Sequence, residues 1–434
     1  MIDYLILGGG LAGLSAGYFL GDESYRILEK EDVLGGLCRT DYHDGFLFDR
    51  AGHVFYTKDE GISGLWKDFF GETMLLHERD SKVYTHERLI PYPFQVHTEG
   101  LPPEVKARCV LDFVSLRGSP PDEPRDLSKW FLQTFGAAFC EEFFYPYNSK
   151  IWKADLRDMD YKWFRGRIPV PSIAEVIYGA LGAPVGRQGG NSGFLYPNYG
   201  TGELIDALQA FSAEKTRREC SVFSIAPDEK AVCYYDGGGR INRATADKAI
   251  IWTLPLYELP RIIPNVPREI REACSRLRYN VLVTVNVGLK VPDLGREHWI
   301  YYPDPEFNFH RLCFPANYSP YMVPPGKSSI ICEVSFAPDT LKDERDVSRE
   351  AVDGLRKLGY IGSYSNIELL TTRVINPAYV IYDQEHDANV GAVHTWMREH
   401  GIYPCGRFAE WEYMNMDHVM ISARELALKL KEGA

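Results

Sequence analysis

Three features of the sequence predict an α/β protein built around a Rossmann-like domain. The first is a strand, glycine turn, helix, strand and acid in close succession. Apolar Tyr4–Leu7 runs into the turn Gly8–Gly13, and Tyr25–Leu28 ends in Glu29. The second is a further glycine pair, Gly35-Gly36, shortly after that acid. The third is an alternation of strand-like and helix-like segments that continues to the end of the chain.

The first turn has the glycines that dinucleotide binding requires. Gly8 allows the tight turn, Gly10 lets the backbone approach a pyrophosphate, and Gly13 lets the helix pack close to the strand. The helix N-terminus offers free N–H groups to the phosphates. Glu29 lies 21 residues after Gly8, where a carboxylate accepts ribose hydroxyls. The cofactor residues predicted in this part of the chain are Gly8, Gly10, Leu11, Ala12, Gly13, Glu29 and Lys30.

The second glycine pair favours FAD over NAD. NAD-dependent dehydrogenases do not need another glycine turn after the acid, whereas FAD enzymes of the glutathione-reductase and amine-oxidase type place a long flavin along this segment. The pair is followed by Gly45–Asp49 and then by Ala51-Gly52-His53. The alternative is an ordinary surface turn at Gly35-Gly36.

The composition is that of a globular protein, with 45% hydrophobic and 25% charged residues among 434. This length predicts two or three domains. A net charge of −12 argues against nucleic acid and anionic membrane as partners, and no apolar run approaches the roughly 20 residues of a membrane helix. Nine scattered cysteines and an early first strand predict a cytoplasmic protein with reduced thiols. The eleven histidines show no ligand spacing, so no metal site is expected.

The remaining elements follow from hydrophobic periodicity and turn residues. A helix is predicted at 62–70, short strands across 75–90, and helices that begin at 103, 127 and 172, with an irregular aromatic stretch at 143–167. Further on we predict a helix at 203–212 and strands at 220–225, 231–235 and 248–252. A second sheet is predicted from 279–289, 298–302, 310–314 and 328–336, followed by a helix at 347–358, a strand at 367–374 and a helix from about 417.

This order predicts a discontinuous cofactor domain with insertions. We expect an FAD-binding domain at 1–60, 190–270 and 385–434, a helical domain at 100–189, and an antiparallel substrate domain at 61–99 and 271–384. Gly406-Arg407-Phe408, followed by Asn415-Met416 at the start of a helix, suits a C-terminal return to the flavin.

Ten short segments in a shared order connect the chain to a known family. They are Ala51–Val54, Pro91–Gln95, Pro146–Trp152, Trp163–Arg167, Asn191–Pro197, Trp299–Tyr301, Phe309–Arg311, Asn317–Tyr321, Gly406–Phe408 and Trp411–Tyr413. In these segments the chain resembles the UDP-galactopyranose mutases, and their eukaryotic-type branch most. The similarity covers nearly the whole length and implies the GR2-type flavoprotein fold.

The resemblance implies an activity that the residues alone do not display. Family members interconvert the pyranose and furanose forms of a nucleotide-linked sugar, with UDP-galactose as the type substrate. In these enzymes N5 of reduced FAD attacks the anomeric carbon and expels UDP, and the resulting flavin–sugar adduct opens and recloses. FAD in its reduced form is therefore the implied cofactor, a UDP-sugar the implied ligand, and NAD(P)H a candidate reductant.

The resemblance also assigns site residues. Arg167 and Arg311 would bind the diphosphate, because the planar guanidinium binds phosphate oxygens bidentately, and His53 would lie by the flavin; these are the implied catalytic residues. Implied substrate contacts are Tyr92, Phe94, Gln95, Tyr147, Asn148, Trp152, Asn191, Tyr301, Tyr318, Tyr379 and Tyr413. Implied further cofactor contacts are Gly35, Gly36, Leu37, Gly52, His53, Gly406, Arg407, Asn415 and Met416.

Departures from the family pattern leave alternatives open. Ala51 replaces a glycine, two residues are missing between Tyr413 and Asn415, and Tyr382 could replace Tyr379. These changes leave the sugar undetermined. The main alternative is an FAD-dependent oxidoreductase of the amine-oxidase or protoporphyrinogen-oxidase type, which needs an apolar cavity without paired arginines. A flavin-binding scaffold without catalysis is a third reading. The sequence does not indicate an oligomeric state.

Overall fold

A five-stranded parallel sheet forms the part of the fold that contains the glycine turns. The computed structural model describes residues 2–116, 123–185 and 193–433. The order in this sheet is β19-β13-β1-β2-β9, and all its neighbours are parallel. Its strands are β1 (Tyr4–Leu7), β2 (Tyr25–Leu28), β9 (Thr216–Arg217), β13 (Ala249–Trp252) and β19 (Ile402–Pro404). Strands β1 and β13 are buried along their whole length, as expected for a parallel sheet covered on both faces.

Helices from both ends of the chain cover one face of this sheet. They are α1 (Leu11–Leu20), α2 (Glu60–Phe70), α8 (Gly202–Ser212) and α14 (Met416–Lys431). Apolar residues of α1 and α14, among them Leu14, Met420 and Ala423, belong to one buried cluster. The N-terminal and C-terminal segments therefore share a core.

A seven-stranded sheet, built from two strands of the first half of the chain and five of the second, has the order β18-β14-β17-β16-β15-β6-β7. Every neighbouring pair is antiparallel except β15 and β6. Its strands are β6 (Ser81–Thr85), β7 (Arg88–Pro91), β14 (Arg278–Leu289), β15 (Trp299–Tyr301), β16 (Arg311–Cys313), β17 (Ser328–Phe336) and β18 (Ile367–Ile381). Strand β17 is buried throughout, so a charged side chain on it requires a partner.

Smaller sheets complete the β structure. Two are antiparallel pairs of strands and one is a three-stranded antiparallel meander. The strands are β3 (Thr40–His43) with β4 (Phe46–Asp49), β5 (Leu75–His77) with β8 (Phe194–Tyr196), and β10 (Ser221–Ala226), β11 (Ala231–Tyr235) and β12 (Ile241–Thr245).

The helical insertion packs around aromatic side chains. Phe135 and Phe144 stack with their ring centroids 4.2 Å apart, and Phe131 packs against Phe144. Its helices are α3 (Pro103–Ser115), α4 (Leu127–Phe135), α5 (Ala137–Phe139), α6 (Tyr145–Trp152) and α7 (Ile173–Ala180). The remaining helices are α9 (Leu259–Ile262), α10 (Arg268–Ser275), α11 (Pro315–Tyr318), α12 (Glu344–Lys357) and α13 (His386–Glu399).

The predicted fold class is confirmed, and two predicted elements were wrong. Residues 145–152, expected to be irregular, form α6 directly after a short π-helix (Cys140–Phe144), because their aromatic side chains pack against the buried cluster of the helical insertion. The strand predicted to end at 374 continues to Ile381. Strand β18 lies at the edge of its sheet, where Pro377 removes no essential ladder bond. Helix α13 was not predicted. The division into three domains stays a prediction.

Candidate active site

The first glycine turn leaves the start of α1 open to a ligand. Helix α1 begins after Gly10 without a side-chain cap, and its first turn contains no acid. A Cβ atom on Gly13 would lie 2.0 Å from the carbonyl oxygen of Gly8, so only glycine permits this contact between helix and turn. The uncapped N–H groups and the positive end of the helix can accept an anion such as a pyrophosphate.

Glu29 and the second glycine pair hold this turn in place. The carboxylate of Glu29 is 8% exposed; it accepts the N–H of Gly9 at 2.6 Å and that of Glu31 at 2.8 Å. The N–H of Gly35 donates to the carbonyl of Gly9 at 2.8 Å. Lys30 lies at the surface, 3.8 Å from Glu31. Glu29 therefore stabilises the glycine turn, in addition to its predicted contact with a ribose.

His53 lies in the loop after β4 with one ring nitrogen unused. Its Nδ1 is buried and has no hydrogen-bond partner among the described residues. Burial lowers the pKa of His53 to about 4, and the nearby positive charges of Arg407 and Arg311 act in the same direction. The imidazole is therefore neutral at pH 7 and has a ring nitrogen available to a ligand.

Arg311 forms a two-point ion pair with a buried carboxylate beside this loop. Its Nε donates to Oε2 of Glu333 at 2.8 Å, and its Nη2 donates to Oε1 at 2.7 Å. Burial opposes the charge of Glu333, but Arg311 and His310 nevertheless hold the pKa of this carboxyl well below its usual range. Oε1 also accepts the N–H of Gly52 at 3.1 Å. Two of the three guanidinium nitrogens of Arg311 thus already bind Glu333.

Tyr379 and Tyr413 form an aromatic wall with arginines around it. Their rings stack at 6.0 Å with an interplanar angle of 11°. The guanidinium of Arg407 lies 4.8 Å from the centre of the Tyr413 ring and 5.2 Å from that of Tyr379. The guanidinium of Arg167 lies 5.1 Å from the Tyr413 ring, and its Nη2 donates to the Tyr413 carbonyl. Arg167 is exposed, so this wall extends to the protein surface.

A second aromatic group lies next to Tyr147. The Tyr301 ring is 5.2 Å from Tyr147 and 5.3 Å from Tyr92. The guanidinium of Arg79 lies 4.9 Å from the Tyr92 ring and 4.7 Å from the Trp299 ring, and its Nη2 donates to the Tyr301 hydroxyl at 3.3 Å. Burial raises the pKa of Tyr92 to about 12, further above neutral pH than that of an ordinary phenol, so its hydroxyl carries a proton that it can donate.

Three other residues that the resemblance implies as substrate contacts are buried and contact other parts of the protein. They are Phe94, Gln95 and Asn148. Phe94 is completely buried and packs against Phe139 and Phe143. Gln95 is 1% exposed and donates to the carbonyl of Pro169 at 2.6 Å. The amide of Asn148 bonds within α6, to the Phe144 carbonyl and the Trp152 indole.

Trp152, Tyr318 and the C-terminal helix lie around the same region. The Trp152 ring is 5.8 Å from Tyr379 and 6.4 Å from Tyr413. Tyr318 stacks on Trp299 and lines a small cavity together with Gly52 and His53. Asn415 precedes α14 without a side-chain capping bond, and Met416 is the first residue of that helix. Asn191 lies outside the described residues.

The structure gives Tyr379 and Tyr382 different surroundings. Tyr379 lies beside Arg407 and Tyr413. The Tyr382 hydroxyl accepts the N–H of Tyr413 at 2.7 Å, and its ring stacks on Trp163 at 4.8 Å. Tyr382 therefore holds the backbone of Tyr413 in place, whereas Tyr379 contacts the guanidinium of Arg407.

Sequence reasoning missed Arg79 and Glu333. Arg79 lies in a charged segment that resembles ordinary surface, so no local signal distinguishes it. Glu333 did carry a signal, because it is the only charged residue in the strand Ser328–Phe336. A carboxylate in the middle of a buried strand requires a cation nearby.

The described ranges contain neither a cluster of metal ligands nor a helix that could span a membrane. No group of three or more His, Cys, Asp or Glu side chains in the described ranges is arranged to hold a metal ion. None of the helices in the described part of the chain has both the length and the apolar character needed to cross a membrane.

The chain is similar to a known protein family in sequence and to several solved structures in fold. The profile of the flavin-containing amine oxidoreductases matches residues 11–373. A solved structure of reduced UDP-galactopyranose mutase superposes with a TM-score of 0.92 at 24% identity, covering 100% of this chain and 94% of the other. A putative protoporphyrinogen oxidase from Exiguobacterium sp. 255-15 gives a TM-score of 0.76 at 18% identity, covering 100% and 99%.

A curated relative is also similar in sequence over part of the chain. Coproporphyrinogen III oxidase of Bacillus subtilis (strain 168) is 24% identical over 175 residues. The match spans 35% of this chain and 37% of the length of that relative.

Proposed function

Because the chain belongs to the family of flavin-containing amine oxidoreductases, we propose that it binds FAD and interconverts the pyranose and furanose forms of a UDP-linked sugar. The arginines and tyrosines beside His53 are the observation that carries this proposal. The correspondence of the whole fold to a UDP-galactopyranose mutase supports it.

The residues of the glycine turns fit FAD. The uncapped start of α1 is available to the pyrophosphate, and Glu29 lies at the end of β2, within reach of the adenosine ribose. The unpaired Nδ1 of His53 and the buried, unpaired Nε of Arg407 provide polar atoms for the flavin. In its reduced form FAD would supply an electron-rich nitrogen that can attack a sugar carbon.

The charges of the site fit a nucleoside diphosphate. Arg167 and Arg407 lie on the Tyr413 wall, and neither forms an ion pair with a carboxylate of the described residues. Arg311 has donors left beyond those bound to Glu333, since a guanidinium carries five N–H groups. These arginines would stabilise the charge that develops on a departing diphosphate.

The tyrosines fit the uncharged parts of the ligand. The phenols of Tyr147 and Tyr379 are protonated at neutral pH, since burial moves their pKa further above the usual value of a tyrosine, and they can donate to sugar hydroxyls or phosphate oxygens. The Trp152 ring and the stacked tyrosines would exclude water around the reacting carbon. Neutral His53 would orient the flavin through a hydrogen bond without adding charge.

The test is incubation of the purified flavoprotein with UDP-galactose under dithionite or NADPH, followed by chromatography of the nucleotide sugars. We expect a new UDP-sugar isomer, without consumption of stoichiometric reductant. Denaturation should release FAD close to one per chain. Equal turnover in air with oxidised flavin, or a protein that cannot be loaded with FAD, would contradict the proposal.

A second candidate is an FAD-dependent oxidase, favoured by the family and by the relative that is a coproporphyrinogen III oxidase. Such an enzyme would release hydrogen peroxide in air with a porphyrinogen or an amine. We rank it second because the fold corresponds more closely to that of the UDP-galactopyranose mutase, with a TM-score of 0.92, than to that of the protoporphyrinogen oxidase, with 0.76. Peroxide release with either substrate, together with no change in UDP-galactose, would reverse the ranking.

A further inference from the structure

Glu333 is a buried carboxylate at the centre of the large sheet. It lies on β17 opposite Arg311 of β16 and Thr284 of β14, and none of its surface is exposed. No other residue of β17 is charged. A buried charge is costly unless it is fully paired, so the contacts of Glu333 define its role.

These contacts join two sides of the candidate site. One carboxylate oxygen, Oε1, accepts both the Nη2 of Arg311 at 2.7 Å and the N–H of Gly52 at 3.1 Å. The other, Oε2, accepts the Nε of Arg311 at 2.8 Å and lies 3.3 Å from Nε2 of His310. A single side chain therefore fixes the guanidinium and the loop that carries His53.

The pairing also determines which donors of Arg311 remain. Glu333 takes the Nε edge of the guanidinium, so the donors of Nη1 are left for a ligand. A planar guanidinium held at two points cannot rotate about its long side chain. Arg311 is therefore preorganised: its Nε and Nη2 atoms bind Glu333, and its Nη1 atom is available to a ligand.

We propose that Glu333 is a positioning residue, which holds Arg311 and the Gly52–His53 loop in one arrangement so that the diphosphate and the flavin are bound in register. This inference rests on the proposed function. If Glu333 only neutralised Arg311, its removal would free the guanidinium and strengthen the binding of an anion. The two roles thus predict opposite changes in UDP affinity.

The test compares Glu333→Gln, Arg311→Gln and the double variant in the FAD-loaded protein. UDP affinity is measured by fluorescence titration and the flavin environment by the visible absorption spectrum. We expect UDP binding to weaken about tenfold in Glu333→Gln and in Arg311→Gln, and no further in the double variant. The flavin spectrum should shift in Glu333→Gln, because an uncharged amide oxygen is a weaker acceptor for the N–H of Gly52 than the carboxylate. It should not shift in Arg311→Gln, which keeps the carboxylate and its bond from Gly52.

Control variants distinguish a positioning role of Glu333 from a general effect on the stability of the protein. Glu368→Gln removes a carboxylate from a surface pair with Lys327 on the same sheet and should change neither readout. Glu333→Asp keeps the charge but is one methylene shorter, so it should recover only part of the affinity. If Glu333→Gln does not fold, Arg311→Met/Glu333→Met replaces the pair by apolar side chains; it should fold, lose UDP affinity and show the shifted flavin spectrum.

Several outcomes would overturn the inference. Tighter or unchanged UDP binding in Glu333→Gln would do so, as would additive losses in the double variant. If the wild-type protein binds no UDP, the proposed function fails, and the flavin spectrum decides the role of Glu333. A spectrum that is unchanged in Glu333→Gln then removes the link to the Gly52–His53 loop, whereas a shifted one keeps it.

Discussion

Arg167 and Arg311, both predicted to bind the diphosphate, lie in different surroundings. Arg167 is exposed and held by backbone carbonyls and aromatic rings. Arg311 is bound to the buried Glu333. Loss of either side chain removes a donor to developing charge, but only the loss of Arg311 leaves an uncompensated buried carboxylate.

Substitution of each arginine by alanine should therefore give different profiles. Either change should cost about 2–4 kcal/mol of transition-state stabilisation in kcat/KM. Arg311→Ala should also lower the free energy of unfolding by about 3–5 kcal/mol, whereas Arg167→Ala should leave it nearly unchanged. Steady-state kinetics and urea unfolding measure the two effects.

The variant Arg167→Lys tests whether the positive charge alone is enough for activity. Arg167→Lys should recover only part of the activity, because it keeps the charge but loses the planar fork. FAD content should stay unchanged in Arg167→Ala. Near-normal turnover and UDP affinity in both alanine variants would mean that the nucleotide-sugar assignment is wrong.

His53 should make stability depend on pH in a defined window. Its folded-state pKa of about 4 lies below the usual 6.5, so between these values the unfolded chain binds a proton that the folded chain does not. The free energy of unfolding should therefore fall as the pH falls from 6.5 to 4, by roughly 2–3 kcal/mol for this group. Urea unfolding of the FAD-free protein at pH 7 and 4.5 measures the loss.

The comparison of two histidine variants isolates this contribution. His53→Asn should show a smaller loss between pH 7 and 4.5 than the wild type. His43→Asn, in β3 and not buried, should keep the wild-type loss. Equal pH dependence in the wild type and His53→Asn would exclude the protonation of His53 as a cause.

At the scale of elements, the contact between α1 and the glycine turn depends on Gly13. A methyl group there would lie 2.0 Å from the Gly8 carbonyl oxygen, so the helix would have to move away from the turn. Gly13→Ala should destabilise the protein by at least about 1–3 kcal/mol and abolish the retention of FAD. Thermal unfolding and the ratio of absorbance at 450 and 280 nm measure both effects.

Gly64 provides the matched control. It lies in α2, where an added Cβ would meet no atom within 4 Å. Gly64→Ala should keep FAD and stabilise the protein by up to about 1 kcal/mol, since alanine favours the helix. Retention of FAD by Gly13→Ala would contradict the assigned role of this turn.

Local elements could be predicted from the sequence, and contacts between distant segments could not. The unit β1-α1-β2 was predicted because its glycines, periodicity and acid lie within a short stretch. The continuation of β18 to Tyr379 was missed because Pro377 normally ends a strand, and only pairing with β14 at a sheet edge permits it. Helix α6 was missed because its aromatic residues are stabilised by tertiary packing.

The same limit applies to the candidate site. Family motifs indicated Arg311 and His53, but the carboxylate that joins their segments is far from both in sequence. The burial of Phe94 and the internal bonds of Asn148 also depend on neighbours that a motif does not show. Residue types could therefore be predicted, and the direction of each side chain could not.

At the scale of the whole molecule, the parallel sheet combines strands from the start, middle and end of the chain. Strand β19 pairs with β13, and α14 packs its apolar residues against α1. The last segment of the chain is thus part of the core that carries the glycine turns.

Deletion of residues 402–434 should therefore prevent formation of a flavoprotein. It removes β19 and α14 and exposes apolar residues of α1 that α14 otherwise covers. We expect aggregation or a chain that does not retain FAD, measured by size-exclusion chromatography and flavin absorbance. Deletion of 432–434 alone should have no such effect, and retention of FAD by the longer deletion would contradict this view of the core.

The discontinuous sheet also has a consequence for synthesis on the ribosome. Strands β1 and β2 leave the exit tunnel first, yet their neighbours β13 and β19 follow only much later. Pairing over such long separations is slow, and until then the nascent chain must keep apolar β1 and α1 from aggregating. Local units, such as the aromatic helical insertion and the β10-β11-β12 meander, can form earlier. We expect flavin loading to be a late event, after release of the completed chain.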